Sequence, residues 1–457
     1  MRRLFIHPIL KEVAEVFASR GKQVYLVGGA VRDLLLGKNP NDWDLASDAR
    51  PEEVIAMFRK VIPTGIKHGT VTIRYRGRSI ETTTFRTESV YTDGRRPDSV
   101  RYAATIEEDL SRRDFTMNAA AIRLPGGSMT DPFGGQADIQ KKLIRCVGRA
   151  EERFNEDGLR PLRALRFASQ LGFTLEDETF AAIAPALPAT AQVSIERIRE
   201  ELDKILVSAL PSRGLRLMEQ TGLLETLLPE LRRCRGVGQK GFHRFDVLDH
   251  AFLSCDFAAR DSSFPETDSR LVLCLAALLH DIGKPEVRVL DSSGVYTFYR
   301  HEEHSAALAL GILKRFKYSN DIIERTIHLI RQHMFHYEED WTDAAVRRFI
   351  IRAGKENLPA LYALRRADAY GTTGKVPPPE MLVPLADRVN AILERNEALS
   401  LRDLAVKGGD LMALGVKPGR DMGRILNELF EAVLADPELN KKEKLLEIAG
   451  NIVGKGT

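Results

Sequence analysis

Hydrophobic and polar positions follow two different periods along the chain. Gln23 to Val27, Val71 to Tyr75 and Ile80 to Phe85 are short β-rich runs, and Gly77 marks a turn between the last two. Strands separated by turns of this kind predict a sheet in the first third of the chain.

A helical period takes over after this region. Apolar residues recur at helical spacing over 159–171, 195–206 and 305–316, as they do earlier over 9–19. Strand signals nearly vanish from about Gln136 onward. The predicted fold class is therefore α+β, with a mixed-sheet head followed by a mostly helical neck, body and tail.

Two breaks rich in glycine or proline, at 236–241 and 372–379, divide the helical part. With 457 residues, the chain is too long for a single hydrophobic core. The predicted domains are a head, a helical neck and body, an inserted helical domain and a C-terminal region, with the boundaries 1–145, 146–235, 240–372 and 373–457.

Composition argues against several classes of protein. The longest apolar stretch, Leu271 to Leu279, is too short to span a bilayer, and Met1 to Leu10 lacks the apolar run of a signal peptide. The four cysteines are scattered without a CxxC pair, which predicts reduced, buried thiols. A cytoplasmic protein without a membrane partner is expected. Its net charge of +3 is too small to indicate a nucleic-acid partner by itself.

A glycine turn is the first candidate for chemistry. Gly28 and Gly29 stand between a predicted strand and a predicted helix that carries Arg32. Glycines let the backbone approach a phosphate closely, and a helix N-terminus adds N–H donors. Arg32 would clamp a phosphate oxygen one turn later. A plain tight turn is the alternative explanation.

Two aspartates follow at strand spacing, with Asp42 and Asp44 on either side of Trp43. Residues i and i+2 of a strand project to one face, so the two carboxylates would lie side by side. Oxygen ligands at this spacing suit Mg²⁺, which can activate a 3′-hydroxyl and neutralise a departing pyrophosphate. A solvated acidic turn is the alternative for an isolated pair.

This combination resembles the polymerase-β-like nucleotidyltransferases. The string LVGGAVRDLLLG…DWDLAS resembles the class II CCA-adding enzymes and the bacterial poly(A) polymerases in particular. The resemblance implies a third carboxylate on a neighbouring strand, for which Glu81 is the preferred candidate and Asp114 the competitor. It continues in RRDFTMNA, residues 112–119, and implies that Arg113 contacts nucleotide phosphate or ribose.

A further segment, EDGLRPLRALRF at 156–167, resembles the family's base-selecting motif. Asp157 and Arg160 are three residues apart and would share one face of a helix. Cytosine and adenine both present an amine donor beside a ring-nitrogen acceptor, which a carboxylate and a guanidinium complement. The pair would select CTP and ATP without a template, while Arg163 and Arg166 would meet phosphates. An ordinary salt bridge between Asp157 and Arg160 is the alternative.

Other segments bear on the exact product. The polar loop from Arg86 to Pro97 resembles a loop that helps CCA-adding enzymes switch from C to A, which favours full CCA addition. Gly158 departs from the family, which often has Pro or Ala there. The segment 401–419 resembles the region that grips the tRNA elbow.

Six residues of the predicted inserted domain resemble the metal-ligand series of HD phosphohydrolases. They are His250, His280, Asp281, His301, His333 and Asp368, with His304 as an alternative to His301. Imidazoles and carboxylates together suit Mn²⁺, Ni²⁺, Co²⁺ or Fe²⁺. The resemblance implies phosphatase or 2′,3′-cyclic phosphodiesterase activity on damaged RNA 3′ ends.

The resemblance as a whole implies an enzyme that adds C, C and A to the 3′ end of tRNA, using CTP, ATP and Mg²⁺ and releasing pyrophosphate. A poly(A) polymerase and a CC- or A-adding enzyme are the nearest alternatives. A protein devoted mainly to HD phosphohydrolase chemistry and a non-catalytic RNA-binding protein are the others. The intact Asp42, Asp44, Asp157 and Arg160 argue against these last two.

Overall fold

The computed structural model describes residues 5–40, 42–88, 100–239, 241, 243–292, 294–395 and 397–454. Contacts within the chain divide it into two compact units. The first comprises Met1–Arg232 with Arg315–Lys317, and the second comprises Arg233–Lys314 with Tyr318–Thr457.

The first unit begins with mixed strands and helices and continues with helices. Its strands are β1 (Val24–Val27), β2 (Asp44–Ser47), β3 (Val61–Gly65), β4 (Thr70–Tyr75), β5 (Arg78–Thr84), β6 (Arg86–Glu88), β7 (Val100–Tyr102), β8 (Ala121–Arg123), β9 (Met129–Thr130), β10 (Leu143–Ile144) and β11 (Thr174–Leu175). Its helices are α1 (Pro8–Ala18), α2 (Gly29–Leu35), α3 (Pro51–Met57), α4 (Ile106–Ser111), α5 (Gly135–Lys141), α6 (Ala150–Glu156), α7 (Arg160–Leu171), α8 (Asp177–Ala181), α9 (Leu187–Ala191), α10 (Ile195–Leu206), α11 (Pro211–Thr221), α12 (Leu223–Leu227) and α13 (Pro229–Arg232).

The second unit is built almost entirely from helices. They are α14 (Val247–Ala259), α15 (Thr267–Leu279), α16 (Lys284–Val287), α17 (His301–Arg315), α18 (Asn320–Gln332), α19 (Asp343–Ala353), α20 (Leu358–Thr373), α21 (Val383–Glu394), α22 (Gly408–Ala413), α23 (Arg420–Ala435) and α24 (Lys442–Gly454). A short hairpin of β12 (Val289–Leu290) and β13 (Tyr296–Thr297) precedes α17. The predicted α+β head with a helical remainder is confirmed.

Seven of the described strands form one mixed sheet, in the order β3-β4-β5-β2-β1-β8-β9. Within this sheet β2 and β5 run parallel, and the other neighbouring strands run antiparallel. A parallel pair requires a crossover connection, which α3 and the hairpin of β3 and β4 provide here.

Successive side chains of β1 point to opposite faces of the sheet, and both faces are packed against apolar residues. Val24 and Leu26 pack into an apolar cluster that includes the buried face of α1. Tyr25 and Val27 pack into a second cluster on the opposite face, which includes residues of α4. Because the strand is buried on both faces, it appears in the sequence as an unbroken apolar run.

The helices α7, α10 and α11 pack against one another in the first unit. The face that α10 buries carries Ile198, Leu202 and Ile205 at helical spacing, together with Glu201. Gly214 of α11 permits close contact with α7, since a Cβ there would lie 2.4 Å from Ser169 Oγ.

The core of the second unit contains α14, α15 and α20. Residues Leu271 to Leu279 are all buried, so α15 is apolar on every side, as the sequence predicted. The described part of the chain holds no helix that is both long and apolar enough to cross a membrane. All four cysteines lie within the described residues and are buried without forming a disulfide, which agrees with the prediction of buried thiols.

Several boundaries differ from the predictions. The helix expected over 305–316 begins earlier, at His301. The paired strands β10 to β13 were not predicted, because two residues are too few to show an alternating period. Most of the predicted loop from Arg86 to Pro97 lies outside the described residues.

Gly158 lies in a close approach between two backbone segments. Its carbonyl accepts a 2.7 Å hydrogen bond from Thr190 Oγ1, and a Cβ there would lie 2.3 Å from the Ala189 carbonyl oxygen. We expect Gly158→Ala to lower the free energy of unfolding by about 1–3 kcal/mol, because the backbone must move. Thermal unfolding would measure the loss. Gly126→Ala is the control, since nothing lies within 4 Å of its added Cβ, and equal stability of the two variants would contradict the prediction.

Candidate functional site

Three carboxylates of the head lie at the start of β2 and on the neighbouring strand β5. Asp44 opens β2 and pairs in parallel register with Glu81. Trp43 is buried while Asp42 and Asp44 are exposed, so the two aspartates lie on one side of the chain. The structure thus brings the three predicted acidic residues together, with Asp42 just ahead of the strand rather than inside it.

Repulsion and burial act together on these carboxylates. Asp44 is exposed as a residue, but the protein around its carboxylate partly removes it from water, which raises its pKa; Arg113 opposes this increase, and Asp42 adds to it. Burial and the charge of Asp44 also raise the pKa of Glu81, against the effect of Arg86. A divalent cation would relieve this repulsion, and carboxylate oxygens are the ligands that Mg²⁺ prefers. The three residues therefore fit a magnesium site.

The glycine turn lies directly beside these acids. Gly28 has φ of 68°, and a Cβ there would lie 3.1 Å from Arg113 Nη1 and 3.7 Å from Asp44 Oδ2. Arg113 is held by a 3.2 Å ion pair with the buried Asp109. Gly28 therefore permits a guanidinium and a carboxylate to reach the backbone of the turn, and Gly29 follows as the first residue of α2.

Arg32 connects α2 to two later segments of the chain. Its guanidinium donates to Asp33 Oδ1 at 2.9 and 2.8 Å and to Asn118 Oδ1 at 3.0 Å. It also lies 5.2 Å from the ring centre of Phe167. The predicted phosphate clamp thus has protein partners that orient it beside the turn.

Asp114 occupies a different environment from Glu81. It is buried and accepts hydrogen bonds from Arg163 at 2.6 and 3.0 Å and from Asn118 at 3.1 Å. Burial opposes ionisation, but these donors outweigh it and hold the pKa of Asp114 at about 2. The geometry places Glu81 beside Asp44 and gives Asp114 an ion pair of its own.

The expectation that Asp157 and Arg160 share one face of a helix is wrong. α6 ends at Glu156, Asp157 has an extended backbone with φ of −140°, and α7 begins at Arg160. The sequence contains the signal for this break, because Gly158 interrupts a helix and Pro161 is typical of a first helical turn. The two residues therefore stand on either side of a helix junction.

Each of these residues has another partner. Asp157 Oδ2 accepts a 2.8 Å bond from Arg197, and Asp157 is half-buried. The buried Arg160 donates to Glu156 Oε2 at 2.7 Å and to the carbonyl of Arg112 at 3.1 Å. Asp157 and Arg160 thus each form an ion pair with a residue other than the predicted partner.

Arg163 and Arg166 are ion-paired with carboxylates. Arg163 binds Asp114 through two nitrogens, and Arg166 Nε lies 2.5 Å from Glu201 Oε2. The Arg166 guanidinium also lies 3.9 Å from the ring centre of Phe167. The predicted row of phosphate-binding arginines is thus held in place by buried acids, and Arg163 keeps part of its side chain exposed.

The ion-pair partners of these site residues were not among the predicted site residues. Asp109 and Glu201 are buried acids, and Arg197 pairs with Asp157. Glu201 stands in the apolar stripe of α10, where an isolated charge would be costly. A carboxylate at an apolar position was the available signal for a buried ion pair.

The six residues predicted in the second unit converge on one cluster. They come from α14 (His250), the end of α15 (His280 and Asp281), the start of α17 (His301), the end of α18 (His333) and α20 (Asp368). Two groups have their ligand atoms within 4.8 Å of one another, and Asp281 belongs to both: His250, His280 and Asp281, and Asp281, His301 and His333. His304 is half-exposed and lies 3.7 Å from Glu286, so His301 is the member of the cluster.

The second group consists of acceptors that face one another. His301 and His333 have their Nδ1 atoms 2.9 and 2.7 Å from backbone carbonyls, so each Nδ1 carries the proton and each Nε2 presents a lone pair. Burial and the charge of His280 lower the pKa of His333 to about 3, which keeps it neutral. These Nε2 atoms lie 3.1 and 3.8 Å from Asp281 Oδ1. A cation among these atoms satisfies all three, so the donor set fits a metal ion.

Two basic side chains are paired with the carboxylates of the cluster. Lys284 Nζ lies 2.6 Å from Asp281 Oδ2, and Arg365 lies 2.7 Å from Asp368 Oδ2. His250 Nε2 lies 3.3 Å from both of these aspartates. The cluster thus combines buried acids with imidazoles and nearby cations, a composition suited to a metal and an anionic ligand.

Family models match three stretches of the chain. They are the poly A polymerase head domain at residues 24–145, the probable RNA and SrmB-binding site of polymerase A at 172–234, and a putative tRNA nucleotidyltransferase domain 2 at 297–449.

Full-length relatives are similar over nearly the whole chain. The CCA-adding enzyme of Lactobacillus johnsonii is 50% identical over 440 residues, which cover 96% of this chain and 95% of that protein. The CCA-adding enzyme of Lactiplantibacillus plantarum is 34% identical over 443 residues, with coverage of 96% and 95%. The crystal structure of the Bacillus stearothermophilus CCA-adding enzyme in complex with CTP has a TM-score of 0.72 and 30% identity, and the match covers 99% of this chain and 100% of that one.

The buried Asp114 predicts a pH dependence of stability. Because its pKa is about 2 in the folded chain, against an ordinary value of 3.8, its ionised form contributes stability above about pH 4 that is lost as the pH falls through 2. Asp114→Asn should lower the free energy of unfolding at pH 7 by about 2 kcal/mol or more and flatten its slope over this acid range. Denaturant titrations at several pH values measure both effects. The exposed Glu107→Gln serves as control, and an unchanged slope in Asp114→Asn would refute the assignment.

Proposed function

This chain belongs to the family of CCA-adding enzymes, and we propose that its first unit carries out the reaction at the carboxylates of β2 and β5. The enzyme adds C, C and A to the 3′ end of tRNA from CTP and ATP, without a nucleic-acid template. The position of the Gly28 turn, where an added Cβ would lie 3.1 Å from Arg113 Nη1 and 3.7 Å from Asp44 Oδ2, is the observation that carries the assignment of the site. A cytoplasmic location fits a tRNA substrate.

The carboxylates of Asp42, Asp44 and Glu81 would hold Mg²⁺. When bound, Mg²⁺ lowers the cost of ionising the attacking 3′-hydroxyl and of the charge on the departing pyrophosphate. Arg113 adds a fixed positive charge beside the turn, where the triphosphate would lie. Its ion pair with Asp109 orients the guanidinium before any nucleotide binds.

Base selection is assigned to the junction between α6 and α7. Asp157 would accept a hydrogen bond from the exocyclic amine of cytosine or adenine, and Arg160 would donate to the neighbouring ring nitrogen. Uracil and guanine present the opposite pattern and would leave these polar groups unpaired. Arg197 is ion-paired with Asp157, and Glu156 is ion-paired with Arg160. These partners would hold the two side chains in fixed orientations, as base selection by a protein requires.

Poly(A) synthesis is the second candidate for the first unit, because two of the matching family models describe parts of a poly(A) polymerase. The two activities differ in where addition stops. The test uses tRNA transcripts that end before CCA, after CC or after CCA. Each transcript is supplied with CTP and ATP singly and together, and sequencing of the products distinguishes the two activities. Addition that stops at CCA supports the assignment, and continued addition of A would replace it.

The histidine–aspartate cluster of the second unit is proposed as an HD-type phosphohydrolase site for 2′- or 3′-phosphates and 2′,3′-cyclic phosphates at RNA ends. Its six ligands would hold one or two transition-metal ions such as Mn²⁺, Ni²⁺, Co²⁺ or Fe²⁺. A metal held this way supplies a hydroxide near neutral pH. Removal of a terminal phosphate would restore the hydroxyl that the first unit extends.

Loss of the carboxylate of Asp42 or of Asp44 tests the nucleotidyltransferase site. Asp42→Ala and Asp44→Ala should each reduce C and A addition by roughly a hundred-fold or more, since each removes one of the three carboxylates that would hold the cation. Incorporation of labelled nucleotide into tRNA is the measurement. Glu107→Gln removes an exposed charge of the same unit and should retain activity. Full activity of both aspartate variants would show that the site is elsewhere.

The histidines of α17 offer a matched pair for the second site. With Mn²⁺ or Ni²⁺ present, the protein should hydrolyse a 2′,3′-cyclic phosphate. His301→Ala should lose most of this activity and part of its bound metal, whereas His304→Ala should retain both, because His304 lies outside the cluster. Phosphate release and elemental analysis are the measurements. Equal behaviour of the two variants would contradict the site, and C and A addition should be the same in both.

A further inference from the structure

A cavity of about 730 Å³ opens over the histidine–aspartate cluster. Asp281, His301, His333 and Asp368 contribute to its floor, and the segment from β13 to α17 forms part of its wall. This volume is within the range of pockets that take ligands of nucleotide size. The cavity is thus larger than a terminal phosphate alone requires.

Two large apolar side chains at this cavity are exposed to solvent. Tyr299 is 79% exposed and Met334 is 57% exposed, and both line the cavity. Tyr299 precedes His301 by two residues, and Met334 directly follows His333. The Nε2 atoms of His301 and His333 lie 3.3 Å apart. The segments that carry Tyr299 and Met334 therefore come together at these two histidines.

Basic residues accompany them. Lys284, Arg300 and Arg365 all line the cavity. Arg300 lies between Tyr299 and His301 and has φ of 58°, a left-handed conformation that is uncommon for a residue other than glycine. Such strain is found most often at ligand clamps and active sites, where the surrounding structure maintains it. The backbone at this point holds Tyr299 beside the cluster at some cost.

We propose that Tyr299 is the stacking platform for the base of a ribonucleotide whose 2′- or 3′-phosphate lies over the cluster, with Met334 on the other side of the base. The inference rests on the proposed phosphohydrolase function and names the residue that selects its substrate. An aromatic ring binds any nucleobase through its face, whereas the basic residues suit the phosphate. A phosphorylated peptide would use the same cations but gain little from a flat exposed ring. Stacking would therefore make the site a reader of RNA ends rather than a general phosphatase.

Two substrates that differ in the base provide the test. Adenosine 3′-phosphate carries a base and glycerol 2-phosphate does not, and phosphate release from each is measured with Mn²⁺ present. Tyr299→Ala should raise KM for adenosine 3′-phosphate by about ten-fold, leave kcat unchanged, and leave both constants unchanged for glycerol 2-phosphate. Tyr299→Phe retains the ring and should behave as the unsubstituted protein. Val289→Ala removes an exposed apolar side chain of β12 that does not line the cavity, and it should have no effect.

An oligonucleotide with a 3′-phosphate forms a second arm of the experiment. A parallel change in KM for the oligonucleotide and the free nucleotide places the platform at the terminal base. A change for the free nucleotide alone would contradict its role in reading RNA ends. The platform would be overturned if Tyr299→Ala left KM for adenosine 3′-phosphate unchanged. It would also be overturned if Tyr299→Ala raised KM equally for glycerol 2-phosphate and Tyr299→Phe had the same effect.

Calorimetric titration of adenosine 3′-phosphate separates this inference from the function on which it rests. If the unsubstituted protein hydrolyses neither substrate, the phosphohydrolase assignment fails. Nucleotide binding that is weakened in Tyr299→Ala and normal in Tyr299→Phe would still establish the platform. Binding that is equal in all three proteins would remove it.

Discussion

The parallel pairing of β2 with β5 is the constraint on which the head site depends. It sets Asp44 beside Glu81, although the two residues are separated in sequence by a whole crossover. The resulting repulsion raises the pKa of both carboxylates. The turn at Gly28 lies beside both Arg113 and Asp44, so the guanidinium is close to these carboxylates. Negative charge that is only partly compensated attracts a divalent cation, and such a cation together with Arg113 would attract the anionic triphosphate.

A second layer of charge surrounds this site and is almost fully compensated. Asp109, Asp114 and Glu201 are buried, and each holds an arginine by short hydrogen bonds. Loss of one partner in such a pair leaves a buried charge exposed to an apolar environment, which costs several kcal/mol. These ion pairs fix the orientation of the arginine guanidinium groups around the site. The directions in which those groups can donate hydrogen bonds to a ligand therefore depend on the buried acids.

The two units offer a metal ion different ligands in different surroundings. The head carboxylates are partly exposed oxygen ligands, whereas the cluster of the second unit is buried and combines imidazole nitrogen with carboxylate oxygen. Exposed oxygen ligands suit a magnesium ion that keeps water and substrate phosphates, and imidazoles suit transition metals. The difference in ligand type and burial separates the two proposed chemistries within one chain.

Local pattern determined much of this structure. The strands around Gly77 and the helices α7 and α10 were predicted from periodicity, because each is longer than one period of its own pattern. Asp42, Asp44 and the histidine series were recognised from residue type and order.

Tertiary structure alone decided the ion-pair partners of the charged site residues. Asp157 and Arg160 are close in sequence but separated by a helix junction, while Arg163 and Asp114 pair across 49 residues. Ion pairs between distant segments depend on how helices and strands pack, and no local period carries that information.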